Sequence, residues 1–168
     1  MSAAVTTYRV AVVCLGNICR SPMAHVVLEE RLRDAGLADR VEVVSAGTGG
    51  WHVGGPMDER AAALLTRHGY DASRHRARQF SPDWFEDADL VLAMDAGNHA
   101  DLAALGTPRP GQLRMFRDFD PHSDDEDREV PDPYHGGDEG FTRVLAMVER
   151  TCDALVAELA ERLEQPER

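Results

Sequence analysis

Cys14 and Arg20 are separated by five residues, Leu-Gly-Asn-Ile-Cys, a spacing that suits chemistry on a phosphate ester. A thiolate attacks phosphorus, and a guanidinium can hold two phosphoryl oxygens at once. Five intervening residues let the backbone curl around an oxyanion with its N–H groups turned inward. Gly16 is expected to permit the sharp turn and the close approach of backbone to ligand. The groups that would bind phosphate also favour the thiolate form of Cys14. Taken alone, Cys-x5-Arg is better read as a buried strand-end cysteine and a surface arginine, so its position in the fold has to decide.

That position is informative. Tyr8–Cys14 (YRVAVVC) is a short, β-branched apolar run that predicts a buried strand. Pro22–Ala35 carries Met23, Val26, Val27 and Leu32 on one helical stripe, with Ser21 expected as N-cap, Pro22 at the first helical position and Gly36 as the stop. The segment between them joins the carboxyl end of a strand to the start of a helix. Ligands bind there in open α/β sheets, and the free N–H groups of a helix start favour an anion. A Walker-type nucleotide loop is excluded, because no Gly-Lys-Ser/Thr follows.

The rest of the chain supplies the frame. Val41–Ser45 and Asp89–Met94 predict a second and a third strand, and Gln112–Phe116 a weaker fourth. Met57–His68 predicts a helix stopped at Gly69, and another runs to Leu105 from a cap at Asp95 or Asn98. Residues 118–137 are rich in aspartate and turn formers and predict a loop that is mostly solvated. A final helix is expected from Asp138 to Leu163, with Val144, Leu145, Val148, Cys152, Leu155, Val156 and Leu159 at helical spacing. Alternating strands and helices imply one three-layer α/β domain over residues 1–168. Its four-stranded parallel sheet would be covered by helices on both faces, in the Rossmann-like or flavodoxin-like manner.

The totals narrow the classes. A chain of 168 residues fits one domain with a proper core. Its net charge of -12 argues against nucleic acid or an anionic membrane as partner, so any anion must be drawn by placed groups. No apolar run approaches the roughly 20 residues of a membrane helix. Met1 to Tyr8 lacks the basic-then-apolar pattern of an export signal, which makes a cytoplasmic location the expectation. All 18 basic residues are arginine, and with the many alanines this points to a high-GC genome such as an actinobacterial one. The three cysteines, Cys14, Cys19 and Cys152, read as free thiols, with Cys152 in the core. No zinc-ligand spacing is present, so neither a metal nor a cofactor is expected.

Val13-Cys-Leu-Gly-Asn-Ile-Cys-Arg-Ser-Pro22 resembles the signature of the low-molecular-weight protein tyrosine phosphatases, and Asp132-Pro-Tyr134 resembles that family's general-acid motif. The likeness extends over nearly the whole chain, with Ser45-Ala-Gly-Thr, Trp51, His75 and Met94-Asp95 also falling where the family would have counterparts. It implies Cys14 as nucleophile and Arg20 as the residue that stabilises the transferring phosphoryl group. The loop residues Leu15, Gly16, Asn17, Ile18, Cys19 and Ser21 would surround the phosphate. Ser21 would hydrogen-bond the thiolate, and Asn17, Ser45 and His75 would brace the loop with it. Asp132 would be the general acid and base. Composition alone does not choose it over Asp120, Asp124, Asp125 or Asp127, although Pro131 and Pro133 stiffen its backbone. Trp51 and Tyr134 would wall the cleft. His135 stands where many relatives carry a second tyrosine, a departure that bears on peptide preference or regulatory phosphorylation and not on the chemistry. Cys19 would form a reversible disulfide with Cys14 that shields it from over-oxidation. Tyrosine-phosphorylated proteins would be the substrates, with a cognate tyrosine kinase as a further partner.

Two competitors share parts of this pattern. A thiol-dependent arsenate reductase of the same fold needs further cysteines near the third strand, and none lies between Cys19 and Cys152. An inactive phosphotyrosine-binding module would be expected to lack Cys14, Arg20 or Asp132, and all three are present.

Overall fold

A computed structural model describes residues 7–164. Residues 1–6, read above as carrying no export signal, and residues 165–168 lie outside the described residues. The elements in chain order are β1 (Tyr8–Cys14), α1 (Arg20–Asp34), β2 (Val41–Gly47), α2 (Glu59–Arg67), α3 (Trp84–Asp87), β3 (Leu90–Ala93), α4 (Ala96–Leu105), β4 (Leu113–Met115) and α5 (Asp138–Glu164). One 3₁₀ turn, Phe116–Phe119, follows β4.

The strands form a single parallel sheet in the order β2-β1-β3-β4. The expected four-stranded α/β architecture is therefore what the chain adopts. From β1 the chain winds first towards β2 and later towards β3, so the switch point lies at the carboxyl end of β1, where an α/β sheet opens a crevice. Cys14 is the last residue of that strand, paired with Gly47 of β2.

Strand alternation divides the core into two layers. Val10, Val12 and Cys14 pack with α1, α2 and α5 through residues such as Met23, Leu28, Leu65, Phe141 and Leu155. Ala11 and Val13 face the other side with Phe80, Phe85, Leu102 and Met115. Val10 to Val13 have no solvent exposure, which explains why this strand reads as a continuous apolar run.

Helix ends follow local chemistry. After α1, the amides of Gly36 and Leu37 bond the carbonyls of Arg33 and Leu32 at 3.1 and 2.8 Å, a Schellman closure with Gly36 at φ 74°. Gly69 and Tyr70 close α2 in the same way, bonding Thr66 and Leu65 at 3.1 and 3.0 Å. The start of α2 lies later than Met57, because Asp58 takes the cap and accepts the Arg60 and Ala61 amides. The start of α1 also differs from expectation. It begins at Arg20 with Cys19 at the cap, and Ser21 makes no capping bond because its hydroxyl is engaged by the loop. Pro22 is the third helical residue and is tolerated there, since first-turn amides have no helical partner. The third helix, α3, a single turn around Trp84 and Phe85, is too short to carry a periodic signal.

The acidic stretch is mostly exposed but not wholly solvated. Asp120 and Val130 within it are buried at 3% and 0% exposure.

Candidate active site

The loop leaving β1 passes directly over β2. A Cβ on Gly47 would lie 2.7 Å from the Leu15 carbonyl oxygen and 3.0 Å from the Asn17 amide nitrogen, so only glycine fits. The amides of Thr48 and Gly49 bond the carbonyls of Cys14 and Leu15, both at 2.9 Å, which tacks the loop to the end of the sheet. The left-handed residue that turns the loop is Asn17, at φ 57°, and not Gly16. Asparagine tolerates this conformation, and here its side chain uses it. Gly16 serves another purpose: a Cβ there would come within 3.3 Å of the His52 ring.

Asn17 and Ser21 are fully buried beneath the loop. The Asn17 side chain donates to Ser21 Oγ at 2.8 Å and accepts the Arg78 amide at 2.9 Å. Ser21 Oγ lies 3.0 Å from Cys14 Sγ. Because Asn17 donates to the hydroxyl, the serine hydrogen is free to point at sulfur, which stabilises a thiolate. His75 Nε2 lies 2.7 Å from the Asn17 carbonyl oxygen, so this nitrogen carries the hydrogen. Burial lowers the His75 pKa, against the raising effect of that bond. Ser45 does not join the brace as expected. Among the described residues its hydroxyl meets His25 Nδ1 at 3.1 Å, because β2 turns this side chain towards α1, and the Ala46 carbonyl faces Ser21 instead.

Arg20 is 2% exposed and is held at one nitrogen: Nη1 donates to Asp95 Oδ2 at 2.6 Å and to the Val130 carbonyl at 3.0 Å. Its other terminal nitrogen, Nη2, lies 3.6 Å from Asp132 Oδ2. Asp95 caps α4 through the Asn98 amide at 2.7 Å, so its carboxylate is fixed before it meets Arg20.

A cavity of about 180 Å³ opens here. Cys14, Leu15, Gly16, Ile18, Cys19 and Arg20 line its base, Trp51 and His52 one side, and Asp132, Tyr134 and His135 the other. Trp51, between Gly49-Gly50 and Gly54-Gly55, is 72% exposed, and the Tyr134 and His135 rings meet edge to face at 4.9 Å. Asp132 itself is exposed, yet Val130 and Pro133 on either side of it are buried. The Cys19 thiol is pushed up by burial and by the negative charge of Asp58 and Cys14, so it stays protonated. The arrangement offers a nucleophile, a cation with a fixed orientation and a carboxyl group around one cavity.

The model of the low molecular weight phosphotyrosine protein phosphatases matches residues 9–165. The chain belongs to that family. This phosphatase is 49% identical over 160 residues to the low molecular weight protein-tyrosine-phosphatase of Streptomyces coelicolor, covering 94% of this chain and 97% of the relative. It is 46% identical over 154 residues to the low molecular weight protein-tyrosine phosphatase A of Mycobacterium tuberculosis, covering 92% and 93% of the two chains. Among solved structures, YfkJ from Bacillus subtilis superposes with a TM-score of 0.87 at 33% identity, covering 97% of this phosphatase and all of that chain. A protein tyrosine phosphatase from Entamoeba histolytica does so with a TM-score of 0.86 at 32% identity, covering 94% and 99%.

Several residues of the phosphatase site carried no signal of their own in the sequence. His52 is one of seven scattered histidines. The Val130 carbonyl and the Arg78 amide are backbone groups, invisible to side-chain patterns. Asp95 reads in the sequence as a helix cap and as a position with a family counterpart but not as the partner of Arg20, although a strand-end aspartate sits at the same sheet edge as Cys14.

Proposed function

We propose that this phosphatase hydrolyses phosphotyrosine in proteins through a phosphocysteine intermediate. The observation that carries this reading is the convergence of Cys14, Arg20 and Asp132 on one cavity. The Cys14 thiolate attacks phosphorus while the loop N–H groups and Arg20 Nη2 take up charge on the equatorial oxygens. The bond from phosphorus to the aryl oxygen breaks, and Asp132 delivers its proton to the departing phenolate. The Asp132 carboxylate then takes a proton from water as the water oxygen attacks the phosphocysteine, which releases phosphate and restores the thiolate. Trp51 and Tyr134 stack on the phenyl ring, and His135 lies beside the polypeptide that carries it. Neither a metal nor a cofactor is called for, since Arg20 and the loop amides supply the positive field.

Cys19 acts as the resolving thiol. Peroxide converts the Cys14 thiolate to a sulfenic acid and so removes one of the charges that raised the Cys19 thiol. The Cys19 sulfur then attacks the sulfenic sulfur as its proton passes to the departing hydroxide, water leaves, and the disulfide formed is opened by thiol reductants. The chain works in the cytoplasm as one catalytic domain on tyrosine-phosphorylated proteins, opposite a tyrosine kinase. Phosphotyrosine, phosphoserine and arsenate assayed side by side test the activity. Phosphotyrosine should be hydrolysed far faster than phosphoserine, with no thiol-coupled reduction of arsenate; arsenate reduction as the main activity would sink the reading.

A further inference from the structure

Asp132 is exposed and, among the described residues, its side chain is held only by the Tyr134 amide at 3.1 Å and by Arg20 at 3.6 Å. Neither contact fixes how far the loop behind it stands from the sulfur. The structure assigns that task to Arg60: we propose that Arg60 is a positioning residue that ties the acid loop to the nucleophile loop and so sets the reach of Asp132. This rests on the reading of Asp132 as the general acid.

The connection runs through three links. The Asp58 amide donates to the Ile18 carbonyl at 2.9 Å, so the start of α2 is bonded directly to the nucleophile loop. The Asp58 carboxylate, 11% exposed, caps α2 and also faces Arg60 Nε and Nη2, each at 3.4 Å. The Arg60 guanidinium then donates from Nη2 to the Tyr134 carbonyl at 2.8 Å and from Nη1 to the Gly136 carbonyl at 3.0 Å. Its plane also lies over the rings of Phe141, at 4.5 Å, and Tyr134, at 5.7 Å. A rigid planar fork serving two carbonyls is something an arginine can do and a lysine cannot.

A single ion pair that solvent still reaches on the arginine side contributes little to stability. Geometry is another matter, because a displacement of about 1 Å at a reacting group can cost roughly 10²-fold in rate. The carbonyls that Arg60 grips lie two and four residues beyond Asp132, on the side of the acid loop that Arg20 does not reach. Upstream, Val130 is already fixed by Arg20 and by its own amide on the Met94 carbonyl at 2.8 Å. Arg60 therefore completes a second anchor, and Asp132 is suspended between the two.

The test is single-turnover release of phenol from phosphotyrosine and from an aryl phosphate with a nitrophenol leaving group. It compares wild type, Arg60→Ala, Arg60→Lys, Asp132→Asn and the Arg60→Ala/Asp132→Asn double variant. Arg60→Ala should slow the phosphotyrosine step about 10- to 10²-fold and the nitrophenol step far less, with the inhibition constant of inorganic phosphate unchanged. In the Asp132→Asn background it should add little, because the acid it positions is gone. Arg60→Lys should recover only part of the rate, and it serves in place of alanine if that variant is unstable. Equal slowing of both esters, or a fully additive loss in the double variant, would overturn the assignment. If Asp132→Asn shows the leaving-group dependence and neither Arg60 variant does, only the role of Arg60 falls. If Asp132→Asn shows none, the acid assignment falls and the role of Arg60 falls with it.

Discussion

The two loops that meet at the cavity are held by different physics. The nucleophile loop has its underside, Cys14, Asn17 and Cys19, buried and is held there by short bonds from Asn17, Ser21, His75 and the Arg78 amide. The acid loop is mostly exposed, and cationic side chains reach it from elsewhere. Arg20 takes the Val130 carbonyl, Arg60 the Tyr134 and Gly136 carbonyls, and Arg117 the Glu129 carbonyl at 3.0 Å. Behind it, the fully buried Asp120 carboxylate receives Arg117 at 2.8 Å and Arg150 at 2.7 and 2.9 Å. A binding loop whose donors must all aim at one point benefits from rigidity. A loop that must bring one carboxyl group to a leaving oxygen and then to a water needs only to be tethered at both ends. Nucleophile-loop changes should therefore remove chemistry outright, and acid-loop changes should grade it.

The largest effect tests the first half of that contrast. Cys14→Ser should abolish turnover while binding of inorganic phosphate is kept or modestly weakened, since the hydroxyl is nearly isosteric but does not ionise to attack. Appreciable turnover by the serine variant would remove Cys14 as nucleophile.

Next in size is Asp132→Asn, expected to slow phosphotyrosine cleavage by about 10²–10⁴-fold. On the proposed mechanism a phenol of pKa ~10 needs a proton from Asp132, so an ester with a much more acidic leaving group should keep its burst of released phenol. Asp125→Asn is the control and should be nearly silent. Equal slowing of good and poor leaving groups would make Asp132 structural. Asp127 is a poorer control, because it pairs with the buried Arg117 at 2.5 Å.

A third variant separates tethering from chemistry. Burial would raise the Asp120 carboxyl, but bonds from Arg150, the His122 amide and Arg117 hold it well below the usual carboxylate range. A lowered folded value stabilises the protein above the unfolded pKa of about 3.9, and that contribution is lost as pH falls below it. Asp120→Asn should cost about 3–5 kcal/mol near neutrality and flatten the fall of stability in acid, as read by urea unfolding from pH 7 to 3. The folded fraction should keep its leaving-group dependence. A change in that dependence would mean that Asp120, and not Asp132, handles the proton.

The smallest effect on rate belongs to Cys19→Ala. Untreated activity should change little, but recovery by thiol reductant after peroxide should drop sharply, with the Cys14–Cys19 bond absent by mass spectrometry. Full recovery in that variant would remove Cys19 from the protective role.

The contrast between the loops also explains what was legible in the sequence. The nucleophile loop is read from one contiguous segment because its function needs one strand end, one turn and one helix start. The sheet was legible for the same reason, since Val10 to Val13 of β1 and the whole of β3 are apolar and buried. The tethers of the acid loop were not. Arg60, Arg117 and Arg150 are three arginines among 18, on three different elements, and nothing local tells a tether from a solvated charge. Ser45 misled for a related reason: its position at a strand end is compatible with the brace, and only the pleat decides that it faces His25.

The grip on Arg20 bears on when the protein can first work. Arg20 lies early in the chain, yet the Asp95 carboxylate and the Val130 carbonyl that orient it come 75 and 110 residues later. A ribosome adds about 5–20 residues per second, and the amino-terminal part emerges first. For roughly 4–15 s, then, the nascent chain carries a complete cysteine loop sequence whose arginine has no carboxylate to aim it. Closing contacts over such separations is the slow part of folding. On the proposed mechanism the oxyanion site is thus completed from the carboxyl-terminal side, so Cys14 and a fully oriented Arg20 come together only once the segment that carries Asp132 is also present.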